Sequence, residues 1–216
     1  MKIASLIAVL LACFNLNTTH AETNTSKSTI KLWQTYEAWL ENNYPAGIKD
    51  LNAGTSEELF KKLESKIGNK LPDKYREWLT VHNGQKSSAA GLLVGGEFFS
   101  TDGILAEWQI METLLDEGKF NFQSESDPKG KIKTDWWNKN WIPISGDGAG
   151  NLICLDMSPD KNGSMGQVID FDHETVDRTV LADSFEEYIG NYINDLKSGQ
   201  YKYSDEYGLI LPLEDL

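Results

Sequence analysis

Between Trp136 and Phe171 the chain keeps returning to one pattern, a short apolar run followed by a turn rich in Gly, Asn and Asp. The runs are Trp141-Ile-Pro-Ile144, Leu152-Ile-Cys-Leu155 and Val168-Ile169. The turns are Gly146-Asp-Gly-Ala-Gly-Asn151 and Asn162-Gly-Ser-Met-Gly166. Apolar stretches of this length, bounded by residues that take positive φ at little steric cost, read as neighbouring strands. The connections are too short for the helical crossover that parallel neighbours need, so these strands are expected to pair antiparallel. Such a sheet needs a second layer over at least one face.

Helical periodicity on both sides of the meander supplies that layer. Leu32, Tyr36, Trp39 and Leu40 share one face of a first helix, closed by Pro45 and Gly47. Thr55-Ser-Glu-Glu58 reads as a capping box for a second helix, with Leu59, Phe60 and Leu63 inward and Gly68 at its end. Pro72 near the first helical position starts a third, carrying Tyr75 and Leu79, and Asn83-Gly84 is its left-handed stop. Gly91 to Phe99 suggests a bent strand, and Ile104 to Leu115 a long amphipathic helix ending at Gly118. Residues 121–133 read as a surface loop and Thr179-Val-Leu181 as a fourth strand. Ser184-Phe-Glu-Glu187 is a second capping box, opening a helix that runs through Leu196. The expected class is α+β, a mainly antiparallel sheet of about five to six strands with helices packed against it.

The N-terminus reads as a targeting segment. Lys2 precedes the apolar run Ile3 to Phe14, and Thr19 and Ala21 stand at small-residue cleavage spacing, so residues 1–21 are expected to be a signal peptide. The run falls short of the about 20 residues that span a bilayer. An alternative cleavage box, Leu10-Leu-Ala-Cys13, would make Cys13 a lipidated first residue; the bulky Phe14 argues against it. Residues 22–28 read as a flexible leader, 29–199 as a single domain and 200–216 as an acidic tail. The expected location is therefore outside the cytoplasm, in the periplasm, with membrane attachment only through Cys13.

Charge removes several functional classes. With 33 acidic against 20 basic residues, the formal net charge is −13, which disfavours nucleic acid and anionic membrane surfaces. A partner with a basic surface would instead be attracted. Cys13 leaves with the signal, so Cys154 has no disulfide partner; set inside an apolar strand, it reads as a small buried hydrophobe.

Catalytic patterns are missing. His82 and His173 stand apart, with no other His or Cys at metal-ligand spacing. Asp156 to Gly163 fails as a calcium loop, because Lys161 occupies the position that needs Gly, and the frame from Ser158 puts Ile169 where Glu is required. Gly146 to Gly150 joins two strands and lacks the helix and Lys of a phosphate loop. No Gly-x-Ser-x-Gly elbow is present. No cofactor or metal is expected. Trp136, Trp137 and Trp141 cluster before the first meander strand; core packing is the favoured reading, with an exposed anchor as the other.

Taken together, these pieces resemble the SUKH superfamily. Leu71-Pro72, Tyr75, Trp78-Leu79 and His82-Asn83-Gly84 are similar to its first motif. Trp141 to Ile144, Asp147-Gly148, Gly150-Asn151 and Cys154-Leu155-Asp156 resemble its central strand–turn–strand. Gly166 to Ile169, Phe171-Asp172-His173 and Ser184 to Glu187 resemble its closing strand and helix. The resemblance covers roughly residues 30–197 and implies a non-enzymatic binding domain to which no catalytic residue carries over. Bacterial members are mostly immunity proteins that neutralise toxins, and fungal members organise wall synthesis and signalling. A signal peptide departs from the cytoplasmic pattern and would point to an envelope-active toxin. The expected function is thus an exported immunity-type protein that binds a cognate toxin, with a scaffold or regulator of cell-wall maintenance as the alternative. An envelope hydrolase is the outlying reading. Expected partner contacts are Asp147, Asp156, Asp160 and Asp172 on the strand–turn edges, with Trp137 as anchor.

Overall fold

The computed structural model describes residues 29–86, 91–93, 96–121 and 125–216; the expected signal peptide with Cys13, and the leader, lie outside the described residues. Residues 29–43 form helix α1. Then come α2 (Pro45–Asp50), α3 (Glu57–Ile67), α4 (Asp73–Val81), β1 (Glu97–Phe98), α5 (Thr101–Asp116) and β2 (Asp127–Lys129). The meander follows as β3 (Trp141–Gly146), β4 (Leu152–Asp156), β5 (Gln167–Phe171) and β6 (Asp177–Ala182). Helix α6 (Phe185–Ser198) and strands β7 (Tyr201–Ser204) and β8 (Leu209–Pro212) complete the chain, with a short 3₁₀ turn at Leu213–Asp215.

The main sheet has the strand order β1-β3-β4-β5-β6-β2. Every neighbouring pair is antiparallel except β2 with β6, so the expected α+β class and mainly antiparallel sheet hold. Strand β2 falls inside the segment read as a surface loop. Its three residues carry no apolar alternation, and Pro128 is tolerated because β2 lies at the edge of the sheet. Residues 91–93 and 96–99 yield less strand than the bent one expected: a bridge between Leu93 and Gly96, then only the two residues of β1.

Two caps obey local chemistry with a shift. Ser56, not Thr55, caps α3, accepting the Leu59 N–H. Ser184 caps α6 by accepting the Glu187 N–H at 3.2 Å, while Glu187 reaches back to the N–H of Asp183 at 2.9 Å. The expected stop of α4 works differently. His82 is already extended (φ −136°) when the helix ends, and Gly84 (φ +67°) serves a close approach: a Cβ there would lie 2.4 Å from the backbone carbon of Phe99.

Helix α6 packs on β5, β6 and α4, and α5 packs on β3 and α3. The core between them is aromatic. Trp33 stacks on Trp78 at 3.8 Å and donates its indole N–H to the Trp78 carbonyl at 2.9 Å. Phe185 meets both Tyr75 and Trp78 edge-on; each such pair adds about 0.5–1.5 kcal/mol beyond area burial. Tyr36 and Tyr192 both donate to the Leu92 carbonyl, and the buried Gln85 side chain accepts the N–H groups of Leu92 and Phe98 at 2.9 Å each. One main-chain loop is thereby tied to α1, α6 and β1 at once.

The expected acidic tail is ordered chain. Strands β7 and β8 pair from Tyr201↔Pro212 to Ser204↔Leu209, with Gly208 (φ +65°) beside the turn. Ile210 is fully buried, and Tyr203 stacks on Tyr44 of the α1–α2 junction at 3.9 Å. The acids between these apolar positions hid a hairpin whose alternation is only four residues long per strand.

Candidate functional site

The β3–β4 turn is built around one carboxylate. Asp147 Oδ1 accepts the N–H of Ala149 at 2.8 Å and of Asn151 at 3.1 Å, and Oδ2 accepts the Asn151 side-chain amide at 2.7 Å. Gly150 (φ +116°) lets the backbone pass the His173 ring, which a Cβ would approach to 3.0 Å. Partial burial raises the Asp147 pKa, but the donated hydrogen bonds outweigh it and hold the carboxyl below its ordinary value. Asn151 Oδ1 also accepts the His173 N–H at 3.2 Å, joining this turn to the chain leaving β5.

Beside the turn a buried cation organises the β5–β6 connection. Arg178 is fully buried. Its Nη1 donates to the carbonyls of Asp172 (3.1 Å), Thr175 (3.0 Å) and Asp177 (2.6 Å), and its Nη2 to that of Trp136 (3.1 Å). The guanidinium lies over the rings of Phe171 (4.3 Å) and Trp136 (4.9 Å). Burial lowers its pKa, and the nearby charges of Asp170 and Asp172 oppose that. Sequence reading passed over Arg178, although the alternation with Val180 and Ala182 puts it on their side of β6.

A cleft of about 430 Å³ opens next to these two features. Leu152, Ile153 and Phe171 of the sheet and Leu209 and Leu211 of β8 line it, together with the carboxylates Asp147, Asp170 and Asp172. A second cavity of about 480 Å³ adjoins it, with Ile153 and Asp170 in the lining of both; its other walls are Leu181, α6 (Tyr188, Asn191, Tyr192, Asp195) and Tyr201 of β7. Neither cavity is lined by Lys or Arg. Burial raises the Asp170 pKa, offset in part by the Thr179 N–H and the Arg178 charge. Asp172 Oδ1 accepts the Glu174 N–H at 2.8 Å.

The five expected contacts are dispersed. Asp147 and Asp172 line the cleft. Asp160 is exposed, but beyond the other end of β4. Asp156 is buried, accepting the Ser158 N–H (2.9 Å) and the Gln167 amide (3.0 Å); it shapes the β4–β5 connection and offers no surface. Trp137 is also interior, edge-on to Trp141 at 5.7 Å and Phe171 at 5.2 Å, so as placed it is a core side chain and not an anchor. Cys154 is buried and its thiol pKa is pushed well up by burial, as for a small core hydrophobe. Among the described residues no group of three or more His, Cys, Asp or Glu is arranged to hold a metal ion.

Helices on a mostly antiparallel sheet, with a carboxylate-lined cleft at the sheet end, define an α+β domain. The chain belongs to the SMI1/KNR4 family (SUKH-1), whose sequence model matches residues 54–191. It is 25% identical over 211 residues to KNR4/SMI1 homolog 2 of Debaryomyces hansenii, covering 79% of this chain and 36% of that protein. It is 24% identical over 204 residues to the glucan synthesis regulatory protein of Neurospora crassa, covering 78% and 38%. Against the cell wall assembly regulator SMI1 of Saccharomyces cerevisiae the figures are 23% over 228 residues, 87% and 44%. The chain thus spans less than half the length of these relatives, of which the Neurospora crassa and Saccharomyces cerevisiae proteins are named as regulators.

Proposed function

We propose that this protein is a non-enzymatic scaffold or regulator of cell-wall maintenance, acting by binding another protein through the carboxylate-lined cleft. Membership of a family whose curated relatives carry the names of wall regulators is the observation that supports it. The cleft supports the binding half of the reading, since it combines apolar walls with acidic groups, has no Lys or Arg in its lining, and offers no nucleophile–base pair. Export after cleavage at Ala21 belongs to the same proposal and would put the domain on the wall side of the membrane. The test is a deletion strain challenged with wall-directed agents. Increased lysis, restored by the wild-type gene and not by one encoding Asp172→Arg with Leu211→Lys, is the expected result. A deletion strain with an intact wall would overturn the reading.

A second reading, an exported immunity-type protein that covers a toxin, draws on the same net charge of −13 and on the leader-like residues 1–21. It predicts that the deletion strain keeps its wall and becomes sensitive to one toxin, a phenotype separable from the first.

A further inference from the structure

The geometry points to one class of occupant for the paired cavities: a linear segment of a partner protein carrying Arg or Lys between apolar side chains. This deepens the proposed binding role and rests on it for the existence of a partner, but its chemistry comes from the cleft alone.

Three observations carry it. The first is charge. Asp147, Asp170 and Asp172 line one cavity, Asp170 and Asp195 the other, and no basic side chain of this chain lines either. Asp147 accepts three hydrogen bonds from its own turn, so it contributes chiefly field. Asp172 uses Oδ1 for Glu174, and among the described residues Oδ2 accepts no hydrogen bond, which leaves an acceptor for a guanidinium or ammonium. The partial burial of Asp170 makes an incoming cation worth more there than at an open surface, because less water screens the pair.

The second is the apolar lining. Leu152, Leu209 and Leu211 border the carboxylates in one cavity, and Leu181 with Tyr188 and Tyr201 border them in the other. A free metal ion or a small polyamine would leave that surface wet. A peptide with alternating basic and apolar side chains uses both, and two adjoining cavities suit a ligand longer than one residue.

The third is provenance. Leu209, Leu211 and Tyr201 sit on the β7–β8 hairpin, outside the matched residues 54–191. The hairpin is pinned by the Tyr44–Tyr203 stack and by buried Ile210. One apolar wall of the cleft is therefore supplied by the C-terminal hairpin, outside the matched residues, while the carboxylates Asp147, Asp170 and Asp172 lie inside them.

The probe is a fluorescein-labelled Leu-Arg-Leu-Lys-Leu peptide, with Leu-Gln-Leu-Gln-Leu as its neutral control, titrated with the full chain and read by fluorescence anisotropy. The expected result is saturable binding of the basic peptide that weakens with salt, and about tenfold weaker binding of the control. Asp170→Asn and Asp172→Asn should each weaken the basic peptide by about three- to tenfold. Leu211→Lys should weaken it more than either. Asp160→Asn, beyond the far end of β4, should leave it unchanged. Thermal unfolding of each variant separates a lost contact from a lost fold. Equal binding of both peptides, no binding of the basic one, or insensitivity to both Asp170→Asn and Asp172→Asn overturns the inference. The two failures are distinguishable. A peptide that binds as described while the deletion strain keeps an intact wall removes the wall function and leaves the cleft chemistry. A wall phenotype with no basic-peptide binding does the reverse.

Discussion

Replacing Arg178 tests the account of the cleft most directly, because that guanidinium holds together the connection from which Asp172 projects. Arg178→Met keeps a long, flexible side chain between Trp136 and Phe171 while deleting four hydrogen bonds to main-chain carbonyls. A neutral hydrogen bond is worth about 1 kcal/mol net, and one to a charged group about 1.5–3 kcal/mol. The lower end applies, since Glu174, Thr175 and Val176 are exposed and water reaches parts of this loop in the variant. Four bonds at about 1.5 kcal/mol, less about 3 kcal/mol relief from no longer burying a charge, leave a loss of about 3 kcal/mol. For a chain of this size that lowers Tm by about 6–12 °C. Arg178→Lys separates geometry from charge. It keeps the positive charge, but a single ammonium cannot span the carbonyls of residues 172, 175, 177 and 136 or stack as a plane, so it should lose about 2 kcal/mol. Urea unfolding followed by Trp fluorescence, with an unchanged m-value as the control for two-state behaviour, measures both. Stability of Arg178→Lys within about 0.5 kcal/mol of wild type, or of Arg178→Met equal to wild type, would refute the reasoning, because charge alone or mere volume would then suffice.

Other outcomes follow from named contacts. Asp147→Asn should cost about 0.5–1.5 kcal/mol at pH 7, because the new amide faces the Asn151 amide as donor to donor. The folded-state pKa of Asp147 is depressed, so its contribution is present above the unfolded value near about 4 and lost as pH falls through the folded value; unfolding curves of wild type and variant should converge below that window. Tyr203→Ser removes the stack on Tyr44 and should speed amide hydrogen exchange across 201–212 while protection in β4 and β5 persists; equal acceleration throughout would refute a separately pinned hairpin. Cys154 should resist a thiol reagent in the native protein and react only at the rate of global unfolding, whereas rapid native labelling would contradict its burial.

How much could be read from the residues alone follows from the range of the interactions. The meander, the α6 start at Ser184 and, to within one residue, the α3 start read at Thr55 and found at Ser56 were legible, because turns and caps are set by neighbours a few residues apart. Where such signals were misplaced, a distant contact was responsible. Gly84 answers to Phe99 and Ser100, and β2 exists only because β6 is there to pair with it. The hairpin needed Tyr44, more than 150 residues away, to turn a weak alternation into structure.

The candidate site divides along the same line. The excess of acids and the absence of a catalytic pattern are properties of composition, visible before any folding. Which acids share a cleft is not. Asp147 and Asp172 meet there because β4 and β5 run antiparallel, bringing the turn before Leu152 beside the chain after Phe171. Asp156, at the opposite end of β4, is drawn inside by Ser158 and Gln167. A strand places consecutive residues on opposite faces and its two ends far apart, so identity alone cannot say which carboxylate reaches solvent. The amino-acid order determined the elements and the charge they carry; the register of the sheet, the caged Arg178 and the docking of the last hairpin decided where that charge is presented.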